Sequence, residues 1–217
     1  LGITTNSLPA NKLTVNYASS LHKETTMANE SSTGFGLRPL RKVGQTDNNA
    51  GLGEWNKAAS TAVISHQDVC VLAASGYVEI STASAAVLNN LGSLNGAFYT
   101  DPNTSKPTWS QYAPNNTATD MTCLVNDDPQ QMFEMRTALT SMTVAAIGAT
   151  APLVAPGGSG APNFLSGMTI GTPTTVVNQL KVLGLTRDEN NQDVAVAGSV
   201  WRVMISNHIL GNNAVGI

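Results

Sequence analysis

Side chains able to do covalent or acid–base chemistry are few in this 217-residue chain: three histidines, two cysteines, and fourteen Asp and Glu. His22, His66 and His208 stand far apart. His66 and Asp68 are two positions apart, a spacing that would put an imidazole and a carboxylate on one face of a strand. A serine completing a hydrolytic triad would be expected on a G-x-S-x-G elbow. The nearest approach, Gly157-Gly158-Ser159-Gly160-Ala161, lacks the last glycine. Asp188, Asn190 and Gln192 have the spacing that opens a calcium loop, yet no glycine follows and no acid closes it. Asp127-Asp128 is read as the opening of a turn, since no second acidic site stands at a definable distance. Gly34-Phe35-Gly36 and Gly51-Leu52-Gly53 lack the third glycine of a dinucleotide-binding loop. Cys70 and Cys123 make no C-x-x-C knuckle and are expected as buried thiols behaving as small hydrophobes. The reading is therefore of a protein that is not an enzyme, with no metal and no cofactor.

Composition narrows the field further. Charged residues make up 12% of the chain, where about 25% is usual. The net charge of −3 argues against nucleic acid as partner, because counterion release needs clustered cations. Hydrophobic residues at 41% exclude disorder by composition. No apolar run is long enough for a membrane-spanning helix, and residues 1–6 show no basic segment leading an apolar one, so no secretion signal is expected. The one cation cluster is Arg38, Arg41 and Lys42. It suits either a solvated strand edge or a contact with an acidic patch on another protein.

The elements that would position these residues are short strands. Phe35–Val43 is expected as an edge strand or extended connection, because Pro39 offers no N–H. Glu54–Ala58, Val69–Ala73, Tyr77–Ser81, Gly96–Thr100 and Met121–Val125 are strand candidates, and Gln130–Arg136 fits either the start of a helix or a strand with Met132, Glu134 and Arg136 on one face. Asp101–Asp120, with three prolines, is expected as a long loop carrying Trp109 and Tyr112. Leu139–Ile147 fits helix and strand spacing equally. The clearest β text follows: Met168–Gly171, Leu180–Leu185, and Val200–His208, with Trp201, Val203 and Ile205 on one side and Val200 and Arg202 on the other. The fold class is mainly β, a small β-barrel or sandwich with long loops and an extended N-terminal arm. The arm is residues 1–33; a single β-rich body spans 34–217, with a Gly/Pro-rich loop at about 148–163. Extended, residues 1–26 would reach up to about 85–90 Å. Their apolar pegs Leu8, Leu13, Val15 and Tyr17 would need a partner surface. With Phe35, Leu37, Arg38, Arg41, Trp109 and Tyr112, they are the candidate contact residues.

Several motifs, in order, carry a resemblance. Met27-Ala28-Asn29 precedes Thr33-Gly34-Phe35-Gly36-Leu37-Arg38-Pro39-Leu40-Arg41; Asp128-Pro129 precedes Met132-Phe133-Glu134-Met135; Leu180–Leu185 precedes a polar turn and Trp201–His208, ending in Asn-His. From Met27 to about Leu210 this resembles a family of tailed-phage head structural proteins that begin Met-Ala-Asn and continue Phe-Gly-Leu-Arg-Pro-Val-Arg. The similarity says nothing of residues 1–26, and the Gly148–Pro162 stretch is longer than the family pattern. The resemblance implies a capsid decoration, or cement, protein: a homotrimer on the virion surface, bound to the major capsid protein and stiffening the shell, with neither nucleic acid nor membrane as partner. The alternatives are another virion part (a major capsid, tail or fibre subunit) or a head-displayed carbohydrate-binding module stacking sugars on Trp109 and Tyr112.

Overall fold

Strict alternation makes Val200–Ile205 a strand: Trp201, Val203 and Ile205 are buried while Val200, Arg202 and Met204 are only half covered. The same logic gives the neighbouring elements. In the computed structural model, which describes residues 34–43, 51–82, 89–137, 142–154, 163–187, 191, 194 and 197–211, thirteen strands form two main antiparallel sheets and a small ribbon. The strands are β1 (Arg38–Lys42), β2 (Gly53–Asn56), β3 (Val69–Leu72), β4 (Val78–Ile80), β5 (Asn90–Thr100), β6 (Pro107–Ser110), β7 (Thr122–Asn126), β8 (Gln131–Arg136), β9 (Thr150–Ala151), β10 (Leu153–Val154), β11 (Thr169–Ile170), β12 (Leu180–Leu185) and β13 (Val200–Ile205). The expected arm, residues 1–33, lies outside the described residues, as do its pegs Leu8, Leu13, Val15 and Tyr17.

The first sheet runs β1-β8-β13-β12-β9. The second runs β2-β7-β5-β3-β4, with β6 paired to β5 alongside β3. Neither sheet closes on itself, so the body is a sandwich rather than a barrel. Among the described residues the one helical segment is a 3-10 turn, Val144–Ala146, inside the stretch whose spacing was ambiguous. β1 sits at an edge as Pro39 requires.

Two clusters of buried side chains hold the sheets. The first collects Phe133, Met135, Leu180, Val182, Trp201, Val203 and Ile205 from the inner face of the first sheet. It is covered by Leu153 and Ile170 of the β10–β11 ribbon, by Met142 and Met168, and by Leu37 and Val69. Each such side chain contributes roughly 1.5–3 kcal/mol on burial. The second cluster gathers Cys70, Val78, Leu91, Leu94, Ala97, Tyr99, Cys123 and Val125 from one face of the second sheet. Its cover is two connecting segments, through Ile64, Ala113, Ala118 and Met121. Lys57 fastens that cover: its buried Nζ donates to the carbonyls of Pro114 at 3.1 Å and Thr61 at 3.3 Å. Burial pushes the Lys57 ammonium below the usual lysine range, with Cys123 and Glu79 pulling it back.

Three joints tie the sheets together. Ile80 packs against both clusters. Ser93 in β5 donates to the Leu37 carbonyl, while the Leu37 N–H donates to Gln67 O at 2.8 Å. Beyond β13, His208 bridges Asn90 at the start of β5, and the Ile209 N–H donates to Asn90 O at 2.9 Å.

One expected loop needs correction. The supposed long loop Asp101–Asp120 contains β6, paired with the end of β5 from Ala97↔Ser110 to Thr100↔Pro107. Pro107 is tolerated because it opens the strand. The apolar segment Ala62–Ser65 contributes only an isolated bridge, Ile64↔Ala113.

Candidate binding surface

β5 carries the feature that matters for function. One of its faces enters the second cluster through Leu94, Ala97 and Tyr99. The opposite face begins buried, with Ser93 beneath Leu37, and then runs out from under its cover. A register irregularity between Leu94 and Gly96 keeps Gly96 and Phe98 on that face. Phe98 is directly opposite Trp109 of β6 and Thr122 of β7. Leu124 pairs with Gly96 on one side and Glu54 of β2 on the other.

The outcome is an open ledge of sheet. Phe98 is 51% exposed and Trp109 48%, large values for cross-strand aromatics that would bury well. Trp109 leans diagonally over Gly96, where a Cβ would come within 2.5 Å of Cζ2 and Cη2. A glycine at that place lets the indole cover bare backbone. Around the aromatics stand Glu54, Asn56, Thr100, Pro107 and Asp120, all exposed. The Asp120 carboxylate accepts from the Thr100 N–H at 3.2 Å, and hydrogen bonding from Thr100 holds it below the usual carboxylate range. It stays ionised at neutral pH.

The outer face of the first sheet is different in kind. Register places Arg202, Glu134 and Arg38 in one row across β13, β8 and β1. Glu134 is buried at 6% exposure and is ion-paired with Arg38. The Arg202 guanidinium lies across Gly184, where a Cβ would sit 3.1 Å from Nη2. Its buried Nε has no hydrogen-bond partner among the described residues. Phe35, half-buried, receives Arg38 at 4.6 Å and Arg136 at 5.3 Å from its ring centroid. Such guanidinium–aromatic contacts are attractive through the ring quadrupole. Arg41 is exposed beside them, and Lys42 is ion-paired with Asp128.

The candidate contact residues therefore fall in different places. Phe35, Arg38 and Arg41 come together at the edge of the first sheet. Leu37 is fully buried in the first cluster and offers no surface to a partner. Trp109 is on the ledge. Tyr112 is not: it stacks on Phe164, with centroids 3.8 Å apart and planes 11° off parallel. Sequence reasoning missed Phe98, whose only signal was strand alternation in a polar, glycine-rich stretch, and Leu124, which sits in the mostly apolar segment Met121–Val125.

Among the described residues the side chains able to do chemistry are engaged structurally; His22 and Ser159 lie outside them. His66 Nδ1 lies 3.1 Å from the Asn95 carbonyl. Asp68 is buried, accepts from the Ser65 N–H at 2.7 Å, and burial raises its carboxyl above the usual range. The intervening Gln67 has φ +64°, which breaks the alternation that would have put His66 and Asp68 on one face. Asp127 accepts from Trp55 Nε1 at 2.9 Å, and Asp128 turns the chain by accepting from the Gln130 N–H at 2.8 Å. Cys70 and Cys123 are free and buried; burial pushes the Cys123 thiol up to about 12 and raises Cys70 well above its ordinary value. Neither is a nucleophile at neutral pH. Most of the calcium-loop candidate, including Asp188, Asn190 and Gln192, lies outside the described residues. Among the described residues no three His, Cys, Asp or Glu side chains gather as a metal site.

A cleft of about 480 Å³ opens where β13 ends, lined by Asp128, Gln130, Met204, Asn207, His208 and Leu210 among others. His208 Nδ1 accepts from the Leu210 N–H at 3.1 Å. Burial pushes the imidazole below its ordinary value, against the pull of Asp127 and Asp128. The cleft shares its histidine with the inter-sheet joint. No helix among the described residues is long and apolar enough to cross a membrane. No protein-family model, no curated protein and no solved structure matches the chain.

Proposed function

We propose that this chain is a capsid decoration protein: a structural, non-catalytic subunit that coats the outer shell of a tailed-phage head, as a homotrimer bound to the major capsid protein. The observation that carries an assembly role is the ledge. Phe98, Trp109 and Leu124 prolong a sheet face that is buried elsewhere, and an apolar sheet face without a cover favours a protein contact. The ordered motifs from Met27 to about Leu210 narrow that role to the phage head.

The mechanism is mechanical. A subunit seated across junctions of the shell adds interface that internal pressure must break before subunits separate. Specific interfaces bury about 1,200–2,000 Å², and repetition over a lattice multiplies weak contacts. The test uses intact particles with and without the protein. Stripped particles are expected to release their genome at a lower temperature; an unchanged release temperature removes the cement role. Truncating residues 1–26 is expected to lower occupancy on the shell, and full occupancy would dismiss that segment as an anchor. A head-displayed carbohydrate-binding module is the second reading, favoured by the exposed Trp109 indole beside Phe98. Glycan-array binding that disappears in Trp109→Ala would promote it.

A further inference from the structure

Charge is divided unequally between the two sheets. The strands of the first carry Arg38, Arg41, Lys42, Arg136, Lys181 and Arg202 against a single acid, Glu134. The strands of the second carry Glu54 and Glu79 and no cation. Next to the ledge stand Asp101 and Asp120, offset by Lys106 alone; Lys57 is buried beneath the other face. One chain thus presents an aromatic ledge with an acidic rim and, elsewhere, a basic sheet face.

We infer that the ledge of one copy receives the basic outer face of the first sheet of a second copy, so that the chain associates with itself through two unlike surfaces. Ledge against ledge would bring Glu54 and Asp120 of both copies together, and basic face against basic face would oppose the arginines. Only the unlike pairing matches potential to potential. Its chemistry already occurs within the chain, where Arg38 and Arg136 sit on the Phe35 ring. Across the contact, guanidinium groups of the basic face would meet Phe98 and Trp109, with Glu54 and Asp120 near enough to neutralise them. Contacts between unlike surfaces close into rings when the rotation permits, which is the form a trimer takes. The inference deepens the decoration reading and rests on it for the number of copies.

The experiment is sedimentation equilibrium on the full chain. The wild type is expected to associate, and less strongly in about 1 M than in about 0.1 M NaCl, as the Debye length falls from about 10 Å to about 3 Å. A ledge variant, Phe98→Ser with Trp109→Ser, and a basic-face variant, Arg41→Glu with Lys181→Glu, change exposed side chains only. Each is expected to associate at least about tenfold more weakly. An equimolar mixture of the two is expected to form one-to-one heterodimers, because each variant keeps the surface the other has lost. A wild type that stays monomeric at about 100 μM overturns the inference, and so does association that survives either variant or a mixture that fails to pair. A wild-type circular dichroism spectrum and cooperative thermal unfolding certify folding, since lost association by itself lowers the midpoint; a variant that misses this is replaced by Trp109→Ala or Lys181→Glu alone. Shell occupancy is read separately on particles. A monomer that still coats shells sinks this inference and the trimer but leaves the shell-coating role, whereas an oligomer that ignores shells sinks the decoration reading alone.

Discussion

The two sheets of this protein manage their faces differently. In the first, one face is buried along its length beneath the β10–β11 ribbon, Met142 and Met168, and the other is made soluble by a row of charge, Arg202–Glu134–Arg38. In the second, one face is sealed by two connecting segments fastened by Lys57, while the other is covered only as far as Ser93. Past that point Phe98 and Trp109 stand about half exposed among polar neighbours such as Glu54 and Thr122. Stability and interaction are thereby separated. The first sheet concentrates side chains that hold the fold, and the end of the second concentrates side chains the fold does not need.

The sharpest way to break this comparison is to exchange tryptophan for alanine on each side. Trp201, fully buried, is expected to cost about 3–5 kcal/mol when truncated. Trp109→Ala is expected to change unfolding free energy in urea by less than about 1 kcal/mol. Equal losses would dissolve the distinction.

The glycines beneath the two large outward side chains make a finer contrast. At Gly96 a Cβ would meet the Trp109 ring at 2.5 Å and the Ser110 carbonyl at 2.7 Å. Backbone cannot swing aside, so Gly96→Ala is expected to destabilise by about 1–3 kcal/mol and to displace the indole, visible as a shift in tryptophan fluorescence. At Gly184 the obstacle is the flexible end of Arg202 at 3.1 Å, and Gly184→Ala should stay within about 0.5 kcal/mol. Between these lies Arg38→Ala, which leaves Glu134 buried without its cation. Because the Arg38 side chain is 51% exposed, solvent replaces part of the loss and about 1 kcal/mol is expected in thermal denaturation.

The smallest effect concerns the joint between the sheets. Burial holds the His208 imidazole below its ordinary value of 6.5, so the unfolded chain takes up a proton that the folded chain refuses. The stabilising contribution is complete above that ordinary value and is lost as pH falls from it through the folded value. Midpoints in urea should therefore drop on moving from neutral to mildly acidic pH, and His208→Gln should flatten the slope over that interval. A wild type whose stability is level there would contradict the assignment.

Much of the β architecture was legible where burial alternates. Val200–Ile205 reads directly, because one face is sealed and the other solvated, and Pro39 announced an edge. β5 was legible only from Gly96 to Thr100. Its first half, with Gly92, Ser93 and Asn95, has little apolar signal and is a strand because β3 and β7 pair with its two edges. β6 was hidden by the three prolines spread through Asp101–Asp120, of which only Pro107 lies in the strand. The ledge was half legible: Trp109 stands out as a large aromatic in polar surroundings, but the sequence offers Tyr112, three residues on, as its equal. The end of β6 lies between them, so one faces outward from the sheet and the other stacks on Phe164. His66 and Asp68 failed as a pair for a similarly local reason, the left-handed turn at Gln67.

The amino-acid order alone determined that this is a β protein of low charge, because residue type and period two are local properties that decide which segments pair and which face of each is apolar. It also determined where the cations stand along the chain. Which strands share a sheet, and hence that six cations lie on one sheet while Phe98 faces Trp109 on the other, was decided only by the tertiary structure. Pairing between distant segments depends on which surfaces remain to be covered once the nearest partners have docked, and that quantity has no value until the whole chain is folded.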